Sequence, residues 1–321
     1  MPIRIKIATT PGELRSLFEV RHRVYVDQEH AMAPRGGAVV DLYDPLPTTA
    51  NVCAMVDDTV VGGIRITLDS DAGLPADDFF DFRQHLPSDS RLASCGMMCL
   101  LRDTRDNPRL TGSMLKMCMY WAVLHQRTYL FGPVNPAALR VVERIGFRPI
   151  GEQFEGPGGL PSIPVTMDLT EMSDEYRAFT DRQDVGLWME NFERVLFSPG
   201  EALVTAGEVA DHAFLIVEGA VEVRTGELAA RAPAVHLRRG HAFGELSLLA
   251  PRVRPYTMVA LEPTDAMVLR REDFQAQLET RPELAMGLIR SVGTRFEDGL
   301  QTPANRLPGS VASPPPRVKS S

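Results

Sequence analysis

The chain has 321 residues, 44% of them hydrophobic and 24% charged, with a formal net charge of −8. That length accommodates two domains with a core each, and the acidic balance excludes a general nucleic-acid binder, which needs a phosphate-neutralising surface. No apolar run reaches the length of a membrane span, and the start, with Arg4 and Lys6 among apolar residues, lacks the h-region of a signal peptide, so a cytoplasmic protein is expected.

Gly12–Val26 places Leu14, Leu17, Phe18, Arg21 and Tyr25 at helical spacing, which predicts an amphipathic first helix. Asp27–Ala50 is rich in Gly and Pro and contains D-L-Y-D-P at Asp41–Pro45; it reads as an ordered loop near a site or as a long surface loop. Val52–Val56 and Thr59–Leu68 alternate as a hairpin turning at Asp57-Asp58, with Arg65 in the second strand. Arg91–Leu101 is too uniformly apolar to have a wet face and is expected in mid-sheet. Asn107-Pro108 supplies an N-cap and a first-turn proline for a helix to about Gln126. Its Met114, Leu115, Met117, Cys118, Met119, Trp121, Ala122 and Leu124 make it apolar nearly all round, hence buried. Thr128–Val134 reads as the next strand, Ala137–Ile145 as a short helix capped by Gly146, and Val165–Leu169 as the closing strand.

This succession, with N-P-A-A-L-R-V-V-E-R-I-G-F at Asn135–Phe147, resembles the core of the GNAT acyltransferase superfamily. In that fold the donor thioester and acceptor amine meet where two neighbouring strands splay apart. GNAT enzymes that use coenzyme A hold its pyrophosphate on R/Q-x-x-G-x-G/A; R-L-T-G-S-M at Arg109–Met114 lacks the second small residue, and the position of a common tyrosine acid is Val142. Both features are similar to those of the homoserine-lactone autoinducer synthases and N-acyl amino acid synthases, which take long acyl chains from acyl carrier protein. That resemblance spans Ile7–Leu169. It implies Arg21 ahead of Tyr25, the pair Asp41 and Asp44, Arg65 on the hairpin and Ser94 on the central strand as the amine site. Asp41 and Asp44 would orient a cationic amine and receive its proton, with Arg21, Arg65 and Ser94 contacting substrate. The same carboxylates also suit turn caps before Pro45, and the arginines suit structural partners for them. Arg102, Arg105 and Arg109, with Lys116, form a basic group at the start of the buried helix that would attract a phosphopantetheine on an acidic carrier; Asp103 and Asp106 could equally neutralise it.

The cysteines, Cys53, Cys95, Cys99 and Cys118, lie in apolar segments without zinc-site spacing, and His22, His30, His85 and His125 show none either. Buried thiols and no metal centre are expected.

Glu171–Val195 has helical periodicity and reads as helices joining two domains. Beyond it, F-S-P-G-E-A-L-V-T-A-G-E at Phe197–Glu208 and D-H-A-F-L-I-V-E-G-A-V-E-V at Asp211–Val223 are short alternating strands with glycines at their turns. They lead to F-G-E-L-S-L-L-A-P-R-V-R-P-Y-T-M-V-A at Phe243–Ala260. This run closely resembles the phosphate-binding cassette of cyclic-nucleotide-binding domains. The resemblance implies Gly244 for a tight turn, Glu245 for the ribose hydroxyl, Arg254 for the phosphate and Thr257 beside it, with cyclic AMP or cyclic GMP as effector. In that family the residue after the arginine offers its N–H to the phosphate; here it is Pro255, which has none. Losing such a bond costs about 1.5–3 kcal/mol. Glu272–Leu300 reads as helix and the Pro- and Ser-rich remainder as disordered. No helix-turn-helix has room to follow, so DNA is not an expected partner.

The fold expected is α+β: a GNAT-like mixed sheet with helices over residues 1–170, a helical linker over 171–195, a cyclic-nucleotide-binding β-barrel with flanking helices over 196–300, and a tail over 301–321. The expected activity is transfer of an acyl group from acyl carrier protein or a coenzyme A thioester to a small amine, under cyclic-nucleotide control. The competing expectations are a non-enzymatic nucleotide sensor or scaffold, and a nucleotide-gated protein lysine acetyltransferase.

Overall fold

The computed structural model describes residues 2–32, 36–105, 107–171, 193–225, 235–244, 248, 252–280, 282, 283, 286, 289, 290 and 293. The architecture is α+β, a GNAT-like mixed sheet followed by a cyclic-nucleotide-binding-type barrel. Strand β1 (Ile3–Ile7) leads into helix α1 (Pro11–His22), whose start is fixed by a capping box between Thr10 and Glu13. A wide π-type turn, Arg23–Gln28, carries the helix direction on past Tyr25. Strands β2 (Thr49–Val56) and β3 (Thr59–Leu68) form the expected hairpin. Asp57 and Asp58 both have positive φ, 46° and 62°, as a two-residue hairpin turn of matching twist demands.

Strand β4 (Leu92–Leu100) is followed by the short helix α2 (Arg102–Arg105) and by α3 (Pro108–Leu124), the predicted buried helix. Strand β5 (Tyr129–Val134), helix α4 (Leu139–Ile145), the two-residue strands β6 (Arg148–Pro149) and β7 (Phe154–Glu155), and β8 (Pro161–Asp168) complete this half. The order is β1-β2-β3-β4-β5-β8-β6, antiparallel except for β4 and β5, which α3 connects. Those two strands pair only from Leu92↔Tyr129 to Ser94↔Phe131 and then part. Gly132 sits at the fork: a Cβ there would lie 2.2 Å from the Cys95 carbonyl oxygen.

The C-terminal half is built from β9 (Glu193–Phe197), β10 (Ala202–Val204), β11 (Val209–Ala210), β12 (His212–Glu218), β13 (Ala220–Thr225), β14 (Val235–Arg238), β15 (Ala242–Phe243), β16 (Arg252–Val253), β17 (Tyr256–Ala260) and β18 (Thr264–Arg270). Helix α5 (Arg271–Thr280) follows. Strands β10-β17-β13-β14 make one sheet and β11-β16 a small ribbon. The other sheet, β15-β12-β18-β9, does not stop at the domain border. Strand β9 pairs antiparallel with β1, Ile3↔Leu196 and Ile5↔Arg194, so one twelve-stranded sheet runs through both halves.

This corrects the reading of 171–195 as helical throughout. Residues 172–192 lie outside those described, and Glu193 opens a strand. Its five residues, E-R-V-L-F, show no alternation, and their strand character comes from ladders on both sides, to β1 and β18. The expected helix beyond Thr280 is described only at scattered positions, and the tail 301–321 lies outside the described residues.

Two cores result. One fills the barrel with Phe197, Phe214, Ile216, Val221, Phe243 and Met258. The other is shared, joining Ile5, Leu110, Met114 and Met117 of the first half to Leu196, Leu215, Met267 and Phe274 of the second.

Candidate acyl-transfer and nucleotide sites

Arginine at position 21 falls on the inward face of α1, and a fully buried guanidinium must be paired. Its Nη1 donates to Asp44 Oδ1 at 2.8 Å and its Nη2 to Asn51 Oδ1 on β2 at 2.5 Å. Arg65 on β3 reaches the same loop, donating to Asp41 Oδ1 at 2.5 Å and standing 3.4 Å from Asp44 Oδ2. The loop locks itself in place: Asp44 Oδ2 accepts from the Asp41 N–H and Asp41 Oδ1 from the Tyr43 N–H. The structure thus brings Arg21, Asp41, Asp44 and Arg65 into one polar cluster. Burial by itself would raise the Asp44 pKa, but the charge and hydrogen bond of Arg21, the charge of Arg65 and the Asp41 N–H together hold it below the usual carboxylate range. The two carboxylates differ in access, since the Asp44 side chain is 2% exposed and that of Asp41 is 34% exposed.

Asn51 was not singled out from sequence. The available signal was its position, a strand-depleted amide in the middle of the apolar run T-A-N-V-C-A-M-V.

Beside the cluster, β4 bulges. Gly63↔Cys99 and Arg65↔Gly96 set two steps of β3 against three of β4, and Met97 takes φ of 52° within the bulge. Tyr25 donates its hydroxyl to the Met98 carbonyl at 2.7 Å, tying the turn after α1 to the bulge. Ser94 is buried on the last paired rung of β4 and β5, at the mouth of the fork. Cys95 and Cys99 flank this stretch as buried thiols; burial pushes Cys99 up to about 11, a packing environment rather than that of a reactive thiolate.

At the start of α3 the Asn107 side-chain oxygen accepts from the N–H groups of Arg109 (3.1 Å) and Leu110 (3.3 Å), taking up amides that a phosphate would use. Of the basic group, Arg102 is exposed and Arg109 half-buried. Arg105 bonds Glu29 and Gln28 rather than Asp103, and Lys116 pairs with Glu218 of the C-terminal half at 2.8 Å; Asp106 lies outside the described residues. A cavity of about 450 Å³, lined by Met119, Tyr129, Ile145, Met167 and Asp168 among others, opens at the opposite end of β5 and does not touch the cluster.

In the barrel, Arg254 is buried beneath Gly244 and donates to the His212 carbonyl at 2.5 Å. Gly244 has φ of +85°, and a Cβ on it would lie 2.6 Å from Arg254 Nη1, so glycine is required both for the turn and for the guanidinium below it. The backbone of Arg254 is fixed by exchange with the preceding turn, donating to Glu208 O at 2.8 Å and accepting from Gly207 N at 2.9 Å. Burial draws the Arg254 pKa below the ordinary arginine value, against the raising effect of Tyr256, Asp211 and Glu208. Thr257 accepts from the Ala206 N–H at 3.0 Å. Glu245 lies outside the described residues. A buried arginine under a glycine turn is what an anionic ligand requires, and these residues fit a cyclic phosphate apart from the N–H that Pro255 lacks.

Fold and sites together define a two-domain chain, acyltransferase-like at its N-terminus and of the cyclic-nucleotide-binding type at its C-terminus. Residues 16–168 match the family N-acyl amino acid synthase FeeM and residues 194–281 the cyclic nucleotide-binding domain. The chain therefore joins a FeeM-type domain to a cyclic nucleotide-binding domain. It is similar to the HTH-type transcriptional regulator Cmr of Mycobacterium tuberculosis, 30% identical over 42% of this chain and 54% of that protein. It is also similar to the cyclic AMP receptor protein of Thermus thermophilus, 28% identical over 36% of this chain and 54% of that one. The chain spans about half the length of these curated relatives. Among solved structures, FeeM, an N-acyl amino acid synthase from uncultured soil microbes, aligns at 19% identity and a TM-score of 0.45 over 53% of this chain and 93% of that one. The Thermus thermophilus catabolite activator protein aligns at 27% and 0.32 over 40% and 60%. Among the described residues no helix is long and apolar enough to cross a membrane.

Proposed function

We propose that this protein transfers an acyl group from a thioester of acyl carrier protein or coenzyme A to the nitrogen of a small amine, and that cyclic AMP or cyclic GMP in the C-terminal domain regulates the transfer. The observation that carries the reading is the Arg21–Asp44–Arg65–Asp41 cluster packed beside the β4 bulge and the β4–β5 fork. An amine orients on the accessible carboxylate of Asp41, gives up a proton, and its nitrogen attacks the thioester carbonyl carbon. The C–N bond forms as the C–S bond breaks, and the thiolate leaves with a proton. Asp44 and Arg21, expected from sequence as proton acceptor and substrate contact, are closed off at 2% and 0% exposure and with Asn51 hold the loop that carries Asp41 instead, and Ser94 contributes its hydroxyl at the fork.

The self-capped start of α3 supports carrier protein over coenzyme A, because the Arg109 and Leu110 amides already have an acceptor. A carrier-bound donor needs no pyrophosphate cradle, and the cations Arg102, Arg105 and Arg109 lie near that helix end for an acidic carrier. Family membership of the C-terminal domain and the buried Arg254 under Gly244 support a cyclic nucleotide as effector. Incubation with long-chain acyl carrier protein, acyl-CoA and an amino-acid pool, with and without cyclic AMP or cyclic GMP, followed by mass spectrometry, tests the whole reading. An N-acyl amine whose yield depends on nucleotide is expected; no acylated amine with any donor would overturn the enzymatic half.

A further inference from the structure

Three residues of α3, Ser113, Lys116 and Tyr120, lie three and four apart and so share one helix face. That face meets the C-terminal domain. Ser113 donates its hydroxyl to Asp265 Oδ2 at 2.9 Å, Lys116 pairs with Glu218, and the Arg194 guanidinium lies 5.8 Å from the Tyr120 ring. Asp265 is itself gripped by Arg194, through Nε at 2.9 Å and through Nη2, and Arg194, Asp265 and Ser113 are all buried. A buried ion pair at a domain seam is a poor source of stability, because apolar side chains of the same volume serve as well or better; what such a pair can supply is a fixed relative position.

The strands that carry these groups also carry the phosphate cradle. Glu218 and Asp265 are opposite each other at one end of the β12–β18 ladder, just past its bulge, and His212 and Arg270 are opposite each other at the other end. His212 gives its carbonyl to Arg254. Arg270 grips Glu193 through two hydrogen bonds of 2.9 and 2.7 Å, and Glu193 is the chain neighbour of Arg194. One two-stranded ladder thus spans from the cradle to the donor-end helix of the acyltransferase domain, about 20 Å at strand rise.

We propose that Ser113 receives the nucleotide signal: a cyclic phosphate on Arg254 reloads the His212 end of the ladder, and the Asp265 end passes the change to α3 through Ser113. This rests on the regulatory half of the proposed function. Ser113 is a positioning residue and touches no substrate. The phosphate competes with the His212 carbonyl for the Arg254 guanidinium, and β12 and β18 stay in continuous register from His212↔Arg270 to Ile216↔Ala266, with the bulge between Ile216 and Glu218 leading directly into the Glu218↔Asp265 pair.

The test is hydrogen exchange by mass spectrometry on the full chain, with cyclic AMP and cyclic GMP at saturation, for the wild type and Ser113→Ala, alongside calorimetry and acyl-transfer assays. Ser113→Ala keeps the Arg194–Asp265 pair and is expected to fold, which its melting curve reports. In the wild type nucleotide should change exchange in the α3 peptides over 109–120 and change turnover by about 5-fold or more, the usual range of such couplings. In Ser113→Ala both responses should fall toward one-fold while nucleotide affinity and nucleotide-free turnover stay within about twofold of wild type. Nucleotide binding by calorimetry with α3 unchanged in the wild type, or an undiminished response in Ser113→Ala, overturns the inference alone. Absence of nucleotide binding by the wild type overturns the regulatory reading and this inference with it.

Discussion

Asp41 and Asp44 stand three residues apart and differ in what surrounds them. Asp44 has both oxygens taken, by Arg21, Arg65 and the Asp41 N–H, whereas Asp41 keeps access to solvent. Asp41→Asn should therefore lower kcat/KM by about 10²-fold or more, the scale of a lost proton acceptor, with a smaller loss of Tm than Asp44→Asn, because Asp41 is partly exposed and Asp44 still stands 3.4 Å from Arg65. Asp44→Asn should instead destabilise by about 3 kcal/mol, because it strips the counter-charge from a buried arginine. Thermal melts and steady-state kinetics on both variants separate the two effects. The same argument has a pH signature. The folded pKa of Asp44 lies below its unfolded value, so its stabilisation is fully present above about pH 4 and is lost as pH falls through the lowered folded value. The stability gap between wild type and Asp44→Asn should accordingly shrink on acidification below about pH 4 and stay constant above about pH 5, as read from denaturant midpoints. In the barrel, Gly244→Ala should abolish nucleotide binding by calorimetry, since it strains a positive φ and displaces Arg254. Pro255→Ala restores an N–H and should tighten binding by about 10-fold or more; equal affinities would mean that the cradle does not use that position.

Helix α3 is where local rules and function meet. Its start was legible because Asn-Pro caps and opens a helix by short-range geometry, and its burial was legible from apolar residues on every side. Asn107→Ala should cost about 1 kcal/mol of stability through the lost cap. It also releases the Arg109 amide, while Leu110 keeps its bond to the Asn107 backbone carbonyl at 3.1 Å, so the rate with acyl-CoA relative to acyl carrier protein should rise; an unchanged donor ratio would show that this amide does not discriminate donors. Elements set by distant partners were harder to read. I-R-I-K-I alternates as a strand does, but what makes β1 a strand is β2 on one side and β9 on the other, from opposite ends of the fold. The start of β9 falls within the window of helical periodicity over 171–195 for the same reason. The β4 bulge leaves no periodic trace in L-A-S-C-G-M-M-C-L, and its anchor, the Tyr25 hydroxyl on Met98, joins residues 73 apart in sequence. The polar cluster was legible in residue type, through arginines and aspartates in family positions, but not in which carboxylate would be closed off by its neighbours.

At the scale of the whole chain, continuity of the sheet changes what a domain border means. Strand β1 would be an edge strand if the acyltransferase domain ended at Leu169, and β9 would be one if the barrel began alone; each is the other's cover. The shared core behind them joins Ile5 and Met114 to Leu215 and Met267, and the seam is crossed by the Ser113–Asp265–Arg194 contacts, by Lys116–Glu218 and by Arg4 facing Glu193 at 3.8 Å. Domains tethered by a linker and a small polar contact unfold independently, whereas an uninterrupted sheet with a common apolar core ties the two equilibria together. Scanning calorimetry of the full chain should therefore give one cooperative transition with equal calorimetric and van't Hoff enthalpies. A fragment of residues 1–171 should melt lower and self-associate through the uncovered β1 edge, as measured by light scattering. Two separated transitions in the full chain, with the fragment melting at the temperature of the first, would mean that the halves fold without reference to each other and that the seam carries no energy between them.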